Sequence, residues 1–128
     1  TGGRRMSRRT TSRRASATTP RLNRCLALED PRRTSDGAGG FLEAWQLLGH
    51  HWCEMRALTG RSTDQSGISL SLQRYRITLR AHPPGSPARP RPDQRLRDGA
   101  RIFRIDAVAE GDPDGRFLTC FATEETSA

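Results

Sequence analysis

The sequence predicts an all-β protein: a small antiparallel β-barrel or sandwich of about six strands with long loops, preceded by a basic, extended N-terminal arm. Three observations carry this. Residues 73–80 alternate, with Tyr75, Ile77 and Leu79 on one face and Arg74, Arg76, Thr78 and Arg80 on the other, the period of two of a half-buried strand. Residues 101–109 alternate in the same way, with Phe103, Ile105 and Ala107 assigned inward and Arg104 and Asp106 outward. The turn-forming Glu110-Gly-Asp-Pro-Asp-Gly115 then leads into a returning strand at 116–123, so these two segments read as a hairpin.

Charge divides the chain. All 22 basic residues are arginine, and eight of them fall within residues 1–24, where there is no acid. The fourteen others balance the fourteen acids of the remainder, so the net charge of +8 belongs to the leading segment. Residues 1–20 hold Arg, Ser and Thr and little that is apolar. Such a segment has nothing to bury against its ordering entropy. It reads as an arm whose Arg4, Arg5, Arg8, Arg9, Arg13 and Arg14 suit docking on carboxylates or phosphates, because guanidinium groups contact both in bidentate fashion. The plainer readings are a solvated tail, or a start at Met6. The division is an arm at 1–20, one small domain at 21–125 and a short tail at 126–128. No apolar run nears the roughly 20 residues of a membrane span, and the first residues lack the apolar segment of a secretory signal. A mean hydropathy of −0.77 fits a polar chain with a thin core. Three cysteines without a C-x-x-C pair suit buried thiols in a reducing compartment better than a disulfide framework.

Taken in order, residues 22–29 form the first strand, ended by Asp30-Pro31. Glycines 37, 39 and 40 make a turn. Two apolar runs follow, 41–48 and 50–58, parted by Gly49; they read as consecutive strands meeting at a tight turn or bulge. A helix is the rival reading, since Phe41, Trp45 and Leu48 fall at i, i+4, i+7. Residues 59–72 are a long polar connection, of a length usually functional or disordered. Residues 81–93 hold five of the eight prolines and are expected to be an extended, partly polyproline-like loop. The expected large core residues are Tyr75, Ile77, Leu79, Phe103, Ile105, Phe117 and Phe121. So small a core favours assembly with further copies.

A search for chemistry returns no catalytic, cofactor-binding or metal-binding residues. His51 and Cys53 lie two apart on a strand and share a face, but no oxyanion-hole or phosphate-loop motif accompanies them. A zinc set drawn from His50, His51, Cys53 and Cys25 or Cys120 matches no standard spacing. Asp112 and Asp114 read as turn residues, not as a calcium loop. Nucleic acid is served by the charge of the arm alone: the chain has one Tyr and four Phe and no RNA-binding aromatic signature, so such contact would be sequence-blind. The arginines Arg74, Arg76 and Arg80 along one strand face are candidates for a subunit interface, beside the simpler reading of a soluble face.

Four stretches together resemble a known family. Asp36-Gly-Ala-Gly-Gly-Phe with Trp45, then Trp52-Cys-Glu-Met-Arg-Ala-Leu-Thr-Gly-Arg61, then Tyr75-Arg-Ile-Thr-Leu-Arg80, and finally 89–108 with Gly-Arg-Phe-Leu-Thr-Cys-Phe-Ala122, are similar to the head–tail adaptor, or head-closure (stopper), proteins of tailed bacteriophages. The version carried by gene transfer agents of alphaproteobacteria is the form most like this chain. The resemblance spans about residues 21–125 and implies a small β-barrel without enzymatic activity or cofactor. It also implies a ring, a hexamer ahead of a dodecamer, in the neck of a particle assembled in the bacterial cytoplasm. A portal or adaptor ring lies on one side of such a ring and a tail terminator or tail tube protein on the other. DNA passes through the channel and no membrane is involved. The family's channel-facing loop maps onto 59–72, which makes Arg61, Ser62, Thr63, Asp64, Gln65 and Ser66 candidates for that role. The arm is longer and more basic than the family leads one to expect. The alternative function is a sequence-nonspecific nucleic-acid-binding module that uses the arm.

Overall fold

The computed structural model describes residues 19–58, 61–63, 69–71 and 73–125, and every regular element among them is a strand. Six strands make one closed ring: β1 (Arg24–Ser35), β2 (Phe41–Leu58), β5 (Arg74–Arg80), β8 (Phe117–Glu125), β7 (Arg101–Glu110) and β6 (Arg95–Asp98), in that order around the barrel. All neighbours are antiparallel, and β6 closes the ring by pairing Ala27, Leu28 and Glu29 of β1 with Arg97, Leu96 and Arg95. Closure removes the free edges that an open sheet of this size would expose. Two further short strands, β3 (Arg61–Thr63) and β4 (Ser69–Ser71), pair only with each other.

Alternation dictates what fills the barrel. Leu26 and Leu28, Cys53, Ile77 and Leu79, Leu96, Phe103 and Ile105, and Leu118, Cys120 and Ala122 point inward and are at most 1% exposed. Each large apolar side chain among them contributes about 1.5–3 kcal/mol on burial. Tyr75 packs from one end, its ring edge-on to Phe103 at 5.2 Å. Its hydroxyl lies 3.1 Å from Arg101 Nη2, and Arg101 Nε donates to Glu124 at 2.9 Å.

The all-β barrel is as expected, but several boundaries move. Asp30-Pro31 does not end the first strand, which runs on to Ser35. Past Glu29 it has no β6 partner, and a strand with one neighbour tolerates the donor that proline lacks. The two runs 41–48 and 50–58 are one 18-residue strand. Leu28 faces Gly49 and Glu29 faces Leu47, so Leu48 is the extra residue of a β-bulge, and Gly49 takes φ +152°, a conformation open chiefly to glycine. The helix alternative for this stretch falls with it. Residues 59–72 are not simply a loop, since part of them pairs as β3 and β4.

The proline-rich segment folds into successive turns instead of an extended polyproline path. The amides of Ser86, Arg89 and Gln94 donate to the carbonyls of Pro83, Ser86 and Arg91, with Gly85 at φ +90°, because proline's fixed φ also suits the first turn position. Just after it comes β6, a strand absent from the sequence-based expectation. Finally, Ala107 and Phe121 are not inward. The register of β7 against β8 shifts between Ile105 and Ala107, so Asp106 is extra and the inward place passes to Val108. Phe121 lies on the outer wall because Leu118, Cys120 and Ala122 take the inward face of β8, and the Arg76 guanidinium lies over its ring at 5.8 Å.

Candidate interaction surface

The β1–β2 pair outruns the barrel. From Asp30↔Gln46 to Ser35↔Phe41 the two strands have only each other among the described residues, forming a projecting hairpin. Its tip is set by Asp36, whose Oδ1 accepts from the amides of Ala38 and Gly40 at 2.8 and 3.0 Å. Those hydrogen bonds hold the carboxyl below its ordinary value. The hairpin exposes large apolar side chains: Phe41 is 68% exposed, Leu42 59% and Leu47 51%, and Trp52 at its base is 60% exposed. Isolated exposed apolar residues are ordinary, but a contiguous group marks a contact surface.

An ionic cluster fixes the hairpin to the barrel. Glu29 is buried and accepts from Arg95 Nε at 2.7 Å and Arg97 Nε at 2.9 Å. Burial pushes its carboxyl up, but the two arginines outweigh this and hold it below the ordinary value of 4.5. The same Arg95 guanidinium lies over Trp45, 4.0 Å from the ring centre. On the other side Gln94, 2% exposed, donates to Asp30 at 2.9 Å and accepts from the Arg91 amide at 2.8 Å. A cleft of about 390 Å³ opens there between the hairpin and the proline-rich turns, beside Asp30, Arg32, Leu48 and Pro84.

Arg74, Arg76 and Arg80 are exposed on the outer face of β5, and none takes part in a salt bridge among the described residues. They lie across from Thr123, Phe121 and Phe117 of β8. Arg61, Ser62 and Thr63 form β3; Asp64, Gln65 and Ser66 fall outside the described residues, as do Arg4, Arg5, Arg8, Arg9, Arg13 and Arg14.

His51 and Cys53 do share the inner face, and both are buried. The Cys53 thiol donates to the His51 carbonyl at 3.4 Å, and burial pushes its pKa up to about 12, far from a nucleophilic thiolate at neutral pH. His51 packs edge-on against His82 at 5.1 Å; burial first, then the neighbouring His82, moves its pKa down. His50 points to the opposite face and Cys25 is exposed, so the zinc set is not brought together. Among the described residues no three His, Cys, Asp or Glu side chains cluster. The hairpin surface went unread in the sequence. Its signal was the run of Phe41, Leu42, Trp45 and Leu47, too many apolar residues for one strand of a barrel this small.

The model of a family described as phage head completion protein matches residues 17–125. The chain belongs to this family. In a solved structure of the virion of a native gene transfer agent particle, one chain is 49% identical to this one, over 86% of this chain and 100% of that chain, with a TM-score of 0.72. No curated protein matches the sequence. The resemblance to head-closure proteins, and to the gene transfer agent version among them, is thus confirmed. A head completion protein has a structural part in closing the head.

Proposed function

We propose that this protein closes the head of a phage-like particle as a ring of identical subunits in the neck, a hexamer ahead of a dodecamer, with no enzymatic activity. One observation carries the reading: a chain 49% identical, matched over its whole length, is part of a gene transfer agent virion. The portal or adaptor ring would lie on one side and a tail terminator or tail tube protein on the other, with packaged DNA in the channel. The segment 59–72, which includes Arg61–Thr63 and Ser69–Ser71, would face the channel. The arm, with Arg4, Arg5, Arg8, Arg9, Arg13 and Arg14, reaches an acidic neighbour, since guanidinium–carboxylate pairs are directional and strong.

Electron microscopy of particles made in bacterial cells tests this directly. The expected result is symmetric density for several copies in the neck, with heads that lose DNA when the gene is deleted. A single copy per particle, or a place in the capsid shell, refutes it. The arm also supports a second reading, sequence-nonspecific binding to nucleic acid. Six arginines on phosphates give a log–log salt slope of about −5. A low-salt gel shift of the free protein, with and without residues 1–20, separates that from protein docking.

A further inference from the structure

The bulge at Leu48 and Gly49 has a consequence for the outer wall. It shifts the alternation of β2 by one residue, so Phe41, Trp45 and Leu47 of the hairpin come onto the same outer face as Trp52 of the barrel wall. Without the extra residue the stripe would be split between two faces. Three of these four side chains are more than half exposed. Aromatic side chains on a rigid strand are the usual anchors of a protein interface.

The wall beyond β2 offers the counterpart. In the ring order β5 follows β2, which carries the stripe, and β8 follows β5, so the outer face of β5 and β8 lies further around the barrel from the stripe. Phe121 of β8 borders two shallow clefts there, of about 330 and 410 Å³. Arg74 flanks one and Arg76 the other. The charges match as well. Glu43 stands on the stripe's face, exposed and in no salt bridge among the described residues, and its cross-strand neighbour Arg33 lies over Phe41 at 5.7 Å. Arg74, Arg76 and Arg80 on the receiving wall are likewise in no salt bridge among the described residues.

We propose that the Phe41–Trp52 stripe of one copy seats on the Phe121–Arg76 wall of a second copy, with Glu43 meeting Arg76. This rests on the ring reading above and names the contact that builds the ring. A patch and a different receiving patch on one chain make a head-to-tail interface. Each copy then both gives and receives, and the chain of contacts ends only by closing on itself.

The test places the photo-crosslinking residue p-benzoylphenylalanine at position 52 of the full chain, in place of the exposed Trp52, within cells producing particles. Circular dichroism of the purified variant confirms the fold. Irradiation is expected to give a band at twice the chain mass, with the probe joined to a peptide from 74–80 or 117–123. Glu43→Arg should weaken that band severalfold, and adding Arg76→Glu should restore it. A crosslink to a different particle protein, to another region of the second copy, or to nothing overturns the pairing. The ring reading stands or falls separately, on the copy number seen in the neck.

Discussion

The guanidinium of Arg95 lies 4.0 Å from the centre of the Trp45 ring while its Nε holds the buried Glu29 at 2.7 Å. One side chain therefore ties the projecting hairpin to the strand that closes the barrel. Removing it leaves Glu29 with Arg97 alone, in a site only 8% exposed at the side chain. Arg95→Ala should cost about 2–4 kcal/mol, between the loss of a charged hydrogen bond and the stranding of a buried charge. Urea denaturation of the purified variant checks this, and a loss under about 0.5 kcal/mol, the range of ordinary surface changes, would show the cluster to be ornamental.

The same cluster sets an acid limit. Because the Glu29 carboxyl lies below its ordinary 4.5 in the fold, the unfolded chain binds the proton more readily. Its contribution is complete above that ordinary value and disappears as pH falls through the lowered one. Stability should therefore drop as the solution is acidified below about pH 5. Glu29→Gln should be less stable at neutral pH and flatter across that interval. Equal slopes for the two proteins, measured by denaturation at a series of pH values, would remove Glu29 from the account.

How far the sequence spoke depends on whether a signal is local. The face of β5 with Tyr75, Ile77 and Leu79 was plain, because seven residues of strict alternation admit one reading. Strand β6 was hidden: Arg95-Leu-Arg-Asp98 offers one apolar residue after a run of prolines, and its partners in β1 lie more than sixty residues away. Bulges defeated the alternation in two places. One extra residue at Leu48 made a continuous strand look broken, and another at Asp106 passed the inward place in β7 from Ala107 to Val108. The exposed hairpin face was not legible, because apolar residues along a strand do not say whether their face meets a core or solvent.

Gly49 offers a clean test of the bulge. Nothing lies within 4 Å of the position a Cβ would take, so substitution meets no clash and its cost is that of the backbone alone. At φ +152° that cost is about 1–3 kcal/mol. Gly49→Ala and Gly49→Ser should therefore destabilise by nearly the same amount in denaturant titrations. A much larger loss for serine would mean that crowding, not backbone conformation, governs the position.

The three thiols should differ sharply in reactivity. Cys53 and Cys120 are sealed in the barrel, and burial drives both pKa values up to about 12, while Cys25 is exposed on the outer face of β1. Attack on a maleimide requires thiolate and access together. In native buffer near neutral pH one thiol per chain should react quickly, and mass spectrometry should place the label on Cys25. Denaturant should release the other two. Fast labelling of Cys53 in the native protein would mean that the barrel opens at β2, and that its 0% exposure misdescribes the wall on which the outer stripe is mounted.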